Sequence, residues 1–432
     1  MLPGLLSSIG LLFIKIWISD LMRILLISQY FWPETFIINE LVQTLTQQGH
    51  TIKVLTGKPN YPNGEIFAGY TRQGIVSESF IPGVTVFRAP LRGRGKGGAK
   101  NLILNYLSFV INGLRFFPSA IKGESYDVVF AFGLSPITSI IPAIFLKWRL
   151  KSHLAVWIQD LWPESLKATG FIRNPFLLWL VGQLVRAIYC CSDTILAQSH
   201  AFKAPISRYA KENKIVYYPN SYKESNSTTT DVPKIPENLL NELDSKFCVV
   251  FAGNLGIAQS LPTLVDAAEQ LQDLPDFRLV FVGSGSMSEW LGQQKKEKKL
   301  DNIIIAGRFP ALEMPHILSR AAALLVSLKK DEIFSYTIPS KIQAYLAAGK
   351  PIIAALDGEA ARVIERAEAG LTCPSEDTQG LAQCIRTIYK LDSVERNKMG
   401  ASGRAYFLEN FNMTTQANKL IEILNERIKS AK

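Results

Sequence analysis

In the stretch IPSKIQAYLAAGKPII, residues 338–353, a lysine stands where elementary electrostatics disfavours one. Pro339 and Ser340 open a helix, Gly349-Lys350-Pro351 closes it, and the apolar residues after the stop read as a buried strand. Helix starts are positive, because their first amides lack partners and the macrodipole adds to them, so Lys341 in the first turn calls for an anion beside it. The free amides, the Ser340 hydroxyl and the Lys341 ammonium together suit a phosphate or diphosphate. Two glycine-bearing turns in the same half of the chain would let backbone approach such a ligand closely: Gly253, Asn254 and Gly256 after FCVVFA, and Gly283 and Gly285 after FRLVFV. In the first half, Asp160 and Glu164 flank Trp162-Pro163. Each carboxylate could meet a polar substrate or orient a proton, and each has a structural alternative, as a cap or as a dipole partner of the following helix. Glu34 and Phe36 follow one apolar run and Asn60 and Tyr61 follow the next, in loops of the kind that line ligand sites at the carboxyl ends of strands.

The elements that must position these residues alternate along the chain. From Met22 onward, short apolar runs alternate with helical stretches, the pattern of parallel βαβ units. RILLIS, TIKVLTG, VTVFRAP, DVVFAF, LAVWIQD, TILAQS and KIVYYPN are strands of a first Rossmann-like domain, 22–222. The polar segment 223–246, with two prolines, reads as a linker. FCVVFAGN, FRLVFVGSG, NIIIAGR, AALLVSL, KPIIAAL and GLTCPS then build a second such domain, 247–404, and residues 405–432 read as an amphipathic helix able to cross the junction. The predicted fold class is α/β, two doubly wound domains facing a central cleft that holds the ligand.

Composition agrees and narrows the partners. A chain of 432 residues, 47% hydrophobic and 19% charged, is globular and too long for one core. Its five cysteines show neither paired nor metal-type spacing, which argues against a disulfide framework and a zinc site. Residues 1–225 hold 23 Lys and Arg against 12 Asp and Glu, whereas the remainder is balanced at 24 against 25. The basic excess sits beside apolar aromatic helices: Arg92, Arg94, Lys96 and Lys100 precede NLILNYLSFVINGLRFF, and Lys147, Trp148, Arg149 and Lys151 end IIPAIFLKWRLK. That pairing suits an anionic membrane surface, while no recognised module accompanies it for nucleic acid. The apolar segment 1–21 is either a short anchor, its uninterrupted part below the ~20 residues of a span, or a stretch upstream of a natural start at Met22.

Five segments in order, QYFWPETFIINELVQTLTQQGHTIKVLTGKPNYPNGEI, WIQDLWPESL, IVYYPNSY, FAGNLGIAQSLPTLVDAA and IPSKIQAYLAAGKPII, resemble the GT-B glycosyltransferases of family 4. The similarity runs from about Met22 to about Phe411, and the nearest branch is the O-antigen and colanic-acid type that includes L-fucosamine transferases. The resemblance implies a nucleotide-sugar donor, usually UDP-linked, on the second domain, with the base seated by the backbone around Arg308 and Phe309 and the diphosphate by Ser340 and Lys341. It implies an acceptor on the first domain and retaining transfer, in which the leaving phosphate itself takes the acceptor proton. N-acetyl-L-fucosamine is the sugar it suggests. No cofactor or metal is expected. The implied acceptor is a polyprenyl-diphosphate-linked saccharide, met at the cytoplasmic face of the bacterial inner membrane by a peripheral enzyme. Two departures stand out. The ribose-binding glutamate pair of many relatives is replaced by Tyr336 and Ala344, leaving Gln343 and Tyr345 as stand-ins, and a histidine near the sugar is replaced by Gln159. These losses keep two alternatives open, a nucleotide-sugar epimerase of the same fold and an inactive membrane-associated nucleotide-sugar-binding protein.

Overall fold

A computed structural model describes residues 21–95, 98–224 and 235–430. The chain divides into two compact units: one of the described residues up to Gln198 with Phe202–Pro219 and the chain from Gln416 on, the other of Ser199–Ala201 and Asn220–Thr415.

The first unit runs β1 (Arg23–Ile27), α1 (Ile37–Gln47), β2 (Thr51–Thr56), β3 (Val76–Ile81), β4 (Val84–Arg88), α2 (Ala99–Ala120), β5 (Val128–Gly133), α3 (Ile141–Leu150), β6 (His153–Ile158), α4 (Glu164–Ala168), α5 (Pro175–Cys191), β7 (Thr194–Ala197), α6 (Lys203–Ser207) and β8 (Ile215–Tyr217). Its sheet has the order β3-β4-β2-β1-β5-β6-β7-β8, parallel except for β3. Strands covered by helices on both faces must be apolar throughout, and β5, VVFAFG, is buried at every position. Strand order reverses between β1 and β5, so the loops after these strands diverge and leave room for a ligand.

The second unit runs α7 (Glu237–Ser245), β9 (Phe247–Ala252), α8 (Leu261–Glu269), β10 (Phe277–Val282), α9 (Ser288–Glu297), β11 (Ile303–Gly307), α10 (Met314–Leu318), β12 (Ala323–Ser327), α11 (Glu332–Tyr336), α12 (Ser340–Ala348), β13 (Ile352–Ala355), α13 (Glu359–Arg366), β14 (Gly370–Cys373), α14 (Thr378–Lys390) and α15 (Ser393–Asn410), before α16 (Met413–Ser430). Its sheet order is β11-β10-β9-β12-β13-β14, with every pairing parallel. Alternation along β9 splits the core: Cys248, Val250 and Ala252 pack with Leu324, Val326 and Tyr345 on one face, while Val249 and Phe251 pack with Leu264, Leu279 and Phe281 on the other.

Every strand read from the sequence is present, and the differences lie elsewhere. β3, VSESFI, was missed because its half-buried residues Val76 and Glu78 alternate with the exposed Ser77 and Ser79, and only Phe80 and Ile81 follow, so no apolar run announces this antiparallel edge strand. The segment expected as a linker holds α7, whose Leu239 and Leu243 enter the core of the second unit at four-residue spacing. The C-terminal boundary also shifts: α15 starts at Ser393 on an Asp392/Glu395 capping box, the second unit runs on to Thr415, and the residues of α16 from Gln416 group with the first unit. Residues 1–20 and Lys96 lie outside the described residues. Among the described residues, no helix is long and apolar enough to cross a membrane.

Candidate active site

In the second unit the loops after β9, β10 and β11 are braided through backbone bonds. Gly253 N–H donates to Val282 (2.8 Å), Gly283 N–H to Gly307 (2.7 Å) and Leu255 N–H to Ser284 (3.0 Å). Such closeness requires glycine. A Cβ on Gly283, whose φ is +142°, would stand 1.8 Å from the Gly253 carbonyl oxygen, and one on Gly285 2.4 Å from that of Leu255. Asn254 is exposed, and its side chain lies between Gly256 and Gly285.

Lys341 joins this group. It is the second residue of α12, and its stem passes so near Gly253 that a Cβ there would meet Cε at 2.6 Å. Nζ donates to Gln259 Oε1 (2.6 Å) and lies 3.7 Å from the centroid of the buried Phe251 ring. Among the described residues no carboxylate is within ion-pair reach of it. Burial without a countercharge lowers the Lys341 pKa to about 7. Lys341 is therefore not a freely solvated surface lysine: its amine is half-buried beside the glycine loops, against the Phe251 ring and the Gln259 amide. Gln259 is fixed in turn, its carbonyl accepting from Ser327 Oγ (2.6 Å).

The two stand-ins for the glutamate pair are otherwise engaged, which corrects that expectation. Tyr345 is 1% exposed, and its hydroxyl bonds to the Ala252 N–H (2.9 Å), positioning the loop from inside. Gln343 is 2% exposed, and its amide nitrogen, turned toward them, donates to the carbonyls of Pro339 (2.9 Å) and Ser340 (3.1 Å). Ala344 packs against the core. Ser340 is exposed at the start of α12, Arg308 is exposed beyond β11, and the Phe309 side chain packs against the core, leaving its backbone for contact.

In the first unit Glu34 is corrected from a substrate-facing residue to a structural one. It is 2% exposed, and its carboxylate accepts from the N–H groups of Tyr61 (2.7 Å), Asn60 (2.8 Å) and Phe31 (3.1 Å), tying the loop after β1 to the loop after β2. Burial raises its pKa, against the opposing pull of those amides. Asn60 is likewise buried, with its amide on the Lys58 carbonyl (3.1 Å). Phe36 and the exposed Tyr61 form an aromatic group with Tyr30, and the Arg94 guanidinium lies 4.9 Å from the Tyr61 centroid and 5.7 Å from that of Tyr30. Arg94 also borders a cavity of about 420 Å³, lined further by Pro62, Gly64, Leu102 and Phe171.

Asp160 caps no helix. Its Oδ2 accepts from Ser135 N–H (3.1 Å), joining the loops after β5 and β6 beside the strand-order reversal. Glu164 opens α4 and faces Arg208 (3.5 Å). Gln159 is 9% exposed, and its Nε2, like Gln29 Oε1, is buried without a protein partner. Such atoms are costly unless a ligand or water meets them. Tyr106 ties these groups together: burial pushes its hydroxyl up to about 12, with Arg94 opposing and Asp160 reinforcing. Tyr30, Gln29 and Tyr106 were missed from sequence and Arg94 was read only as surface charge, because only the folded chain gathers them. The repeated aromatics around QYF and PNYP were the available signal.

These sites belong to a recognisable pair of domains. Residues 35–221 match the family described as glycosyl transferase 4-like domain, and residues 246–390 match glycosyl transferases group 1. The Pseudomonas aeruginosa protein WbjE, named as a glycosyltransferase, is 23% identical over 290 residues, 66% of this chain and 71% of its own length. The Escherichia coli protein WcaI, whose name assigns it to glycosyl transfer in colanic acid biosynthesis, is 25% identical over 359 residues, 80% and 83% of the two chains. Among solved structures, Anabaena HepE in complex with UDP superposes with a TM-score of 0.63 at 14% identity, covering 94% of this chain and 100% of its own. Sucrose-phosphate synthase of Thermosynechococcus elongatus gives 0.68 at 17% identity, covering 95% and 100%.

Proposed function

We propose, for a chain that belongs to the GT-B glycosyltransferases, that it moves a sugar from a UDP-type nucleotide sugar to a lipid-linked saccharide during synthesis of a bacterial surface polysaccharide. The observation that carries this reading is Lys341, partly buried against Phe251 and Gln259 beside the Gly253 and Gly283 loops, a cation with no countercharge of its own. The donor diphosphate completes it. HepE, of the same fold, binds UDP, and the names of WbjE and WcaI point to glycosyl transfer, in WcaI's case in colanic acid biosynthesis.

In this reading the second unit stabilises charge as it develops on the leaving UDP, through Lys341 and the loop amides. Transfer is retaining, with the leaving phosphate taking the acceptor proton, so the absence of a histidine at Gln159 removes no required base. Asp160, Gln159 and Arg94 hold the acceptor. The reaction needs no divalent cation. The setting is the cytoplasmic face of the inner membrane.

A donor screen with membrane extract bearing lipid-linked saccharide, read by mass analysis of the lipid product, tests the proposal and identifies the sugar, with N-acetyl-L-fucosamine among the donors. A mass gain that disappears with Lys341→Ala supports it. Tight UDP-sugar binding with no product from any donor overturns it in favour of a binding protein.

A further inference from the structure

The first unit carries an apolar face that the reaction does not use. Strand order places α2, α3 and α5 on one side of the sheet, because each leads toward the β8 edge by a right-handed crossover, and α3 packs beside both of the others. Half of the exposed large apolar side chains among the described residues are on these three helices. Ile103, Leu107 and Ile111 form a four-residue stripe on α2, and Phe145 and Trp148 are one turn apart on α3. On α5 the first turns present Phe176, Leu177, Trp179 and Leu180, with Trp179 57% and Phe176 64% exposed and their rings stacked at 5.9 Å. Interior packing cannot account for residues left this open.

The charges on these helices are of one sign. α2, α3 and α5 contain Lys100, Arg115, Lys147, Arg149 and Arg186 and not one Asp or Glu, and of these cations Lys147 is already paired with Asp193 before β7 (2.6 Å), leaving the others for an outside anion. A second copy of the chain would bring the same cations against these, whereas anionic headgroups would neutralise them while aromatic rings enter the acyl boundary. The Arg94 cavity adjoins the face, since Phe171, in the loop leading to α5, and Leu102 of α2 both line it.

We propose that α5, with the exposed stripes of α2 and α3, seats the protein on the surface of an anionic phospholipid bilayer, the first two turns of α5 entering the headgroup region. This deepens the proposed function, resting on it only for the identity of the acceptor that such a surface would deliver. The helices singled out from sequence supplied α2 and α3; α5 is the addition, and it carries the most exposed aromatic pair.

The experiment is flotation of the full chain with vesicles of equal parts phosphatidylglycerol and phosphatidylcholine, against phosphatidylcholine alone, without donor or acceptor, so that its result is independent of the transferase reading. Binding to the anionic vesicles only is expected, weakened about tenfold or more by Phe176→Asp combined with Trp179→Asp. Arg149→Glu should weaken it too, while Val394→Asp, at a residue 73% exposed in the second unit, should not. UDP affinity and melting temperature, unchanged in the double variant, exclude misfolding. A variant that melts early is replaced by Phe176→Ser with Trp179→Ser, held to the same expectation. Equal binding to neutral vesicles, binding untouched by the α5 substitutions, or binding to native membranes but not to pure lipid would overturn the proposal. So would a dimer in sedimentation velocity that the same substitutions dissociate.

Discussion

In the proposed reaction, Lys341 concentrates the chemistry of the second unit in one amine. Its pKa of about 7, set by burial, means that the free protein loses the ammonium as pH rises through neutrality, while a bound diphosphate favours the charged form. UDP binding should therefore take up a proton above pH 7, and affinity should fall by up to about tenfold per pH unit there. Calorimetry in buffers of different ionisation enthalpy measures this, and Lys341→Ala should abolish the proton uptake. The same variant should lower kcat/KM by about two to three powers of ten, the usual loss on removing one preorganised donor. Gly283→Ala is expected to destabilise by about 1–3 kcal/mol or more, because the residue keeps a positive φ while its methyl group meets the Gly253 carbonyl, and a denaturant titration reads that directly. Lys341 could be singled out from sequence because the anomaly is local, a cation in the first turn of a helix. The partners that dry and hold it, Phe251 and Gln259, lie some 80 to 90 positions away in sequence and become its neighbours only through the sheet order.

Loops are where sequence and structure part company most. Strand-forming runs such as DVVFAF and FCVVFA are unambiguous, because a buried parallel strand must be apolar on both faces. Side-chain direction in the loops is not encoded in that way. Glu34 and Asn60 sit at the expected strand ends yet turn inward, since three backbone N–H groups there need an acceptor and the Glu34 carboxylate supplies it. Tyr345 and Gln343 likewise satisfy backbone groups of their own unit. Glu34→Gln keeps the shape but gives up the charge on those bonds, at a cost of about 1–3 kcal/mol. Acceptor KM should rise through the loosened loops after β1 and β2, while UDP affinity, governed by the second unit, should stay unchanged. A parallel fall in UDP affinity would show that Glu34 acts on more than its own loops.

At the scale of the whole molecule, two domain matches over 35–221 and 246–390 cover every strand except β1, and leave α15 and α16 outside both. α16 adds Ala417, Leu420 and Leu424, each at most 1% exposed, to the first unit's core, so Leu424→Ala should cost about 2–5 kcal/mol, visible as an early unfolding transition. Activity should survive dialysis against EDTA if the reaction needs no cation, and lost turnover restored by Mg²⁺ would refute that part of the reading. The return of the chain at Gln416 also bears on biosynthesis. The ribosome must add roughly 200 residues after Pro219 before α16 emerges, about 10–40 s at ordinary elongation rates, and throughout that interval the nascent first unit lacks one of its walls. A chain stopped at Thr415 would carry that gap permanently, leaving the Tyr218 hydroxyl and the Gln48 amide without the Gln416 and Asn418 partners that the finished protein provides, and such a fragment should accumulate in inclusion bodies or bound to chaperones.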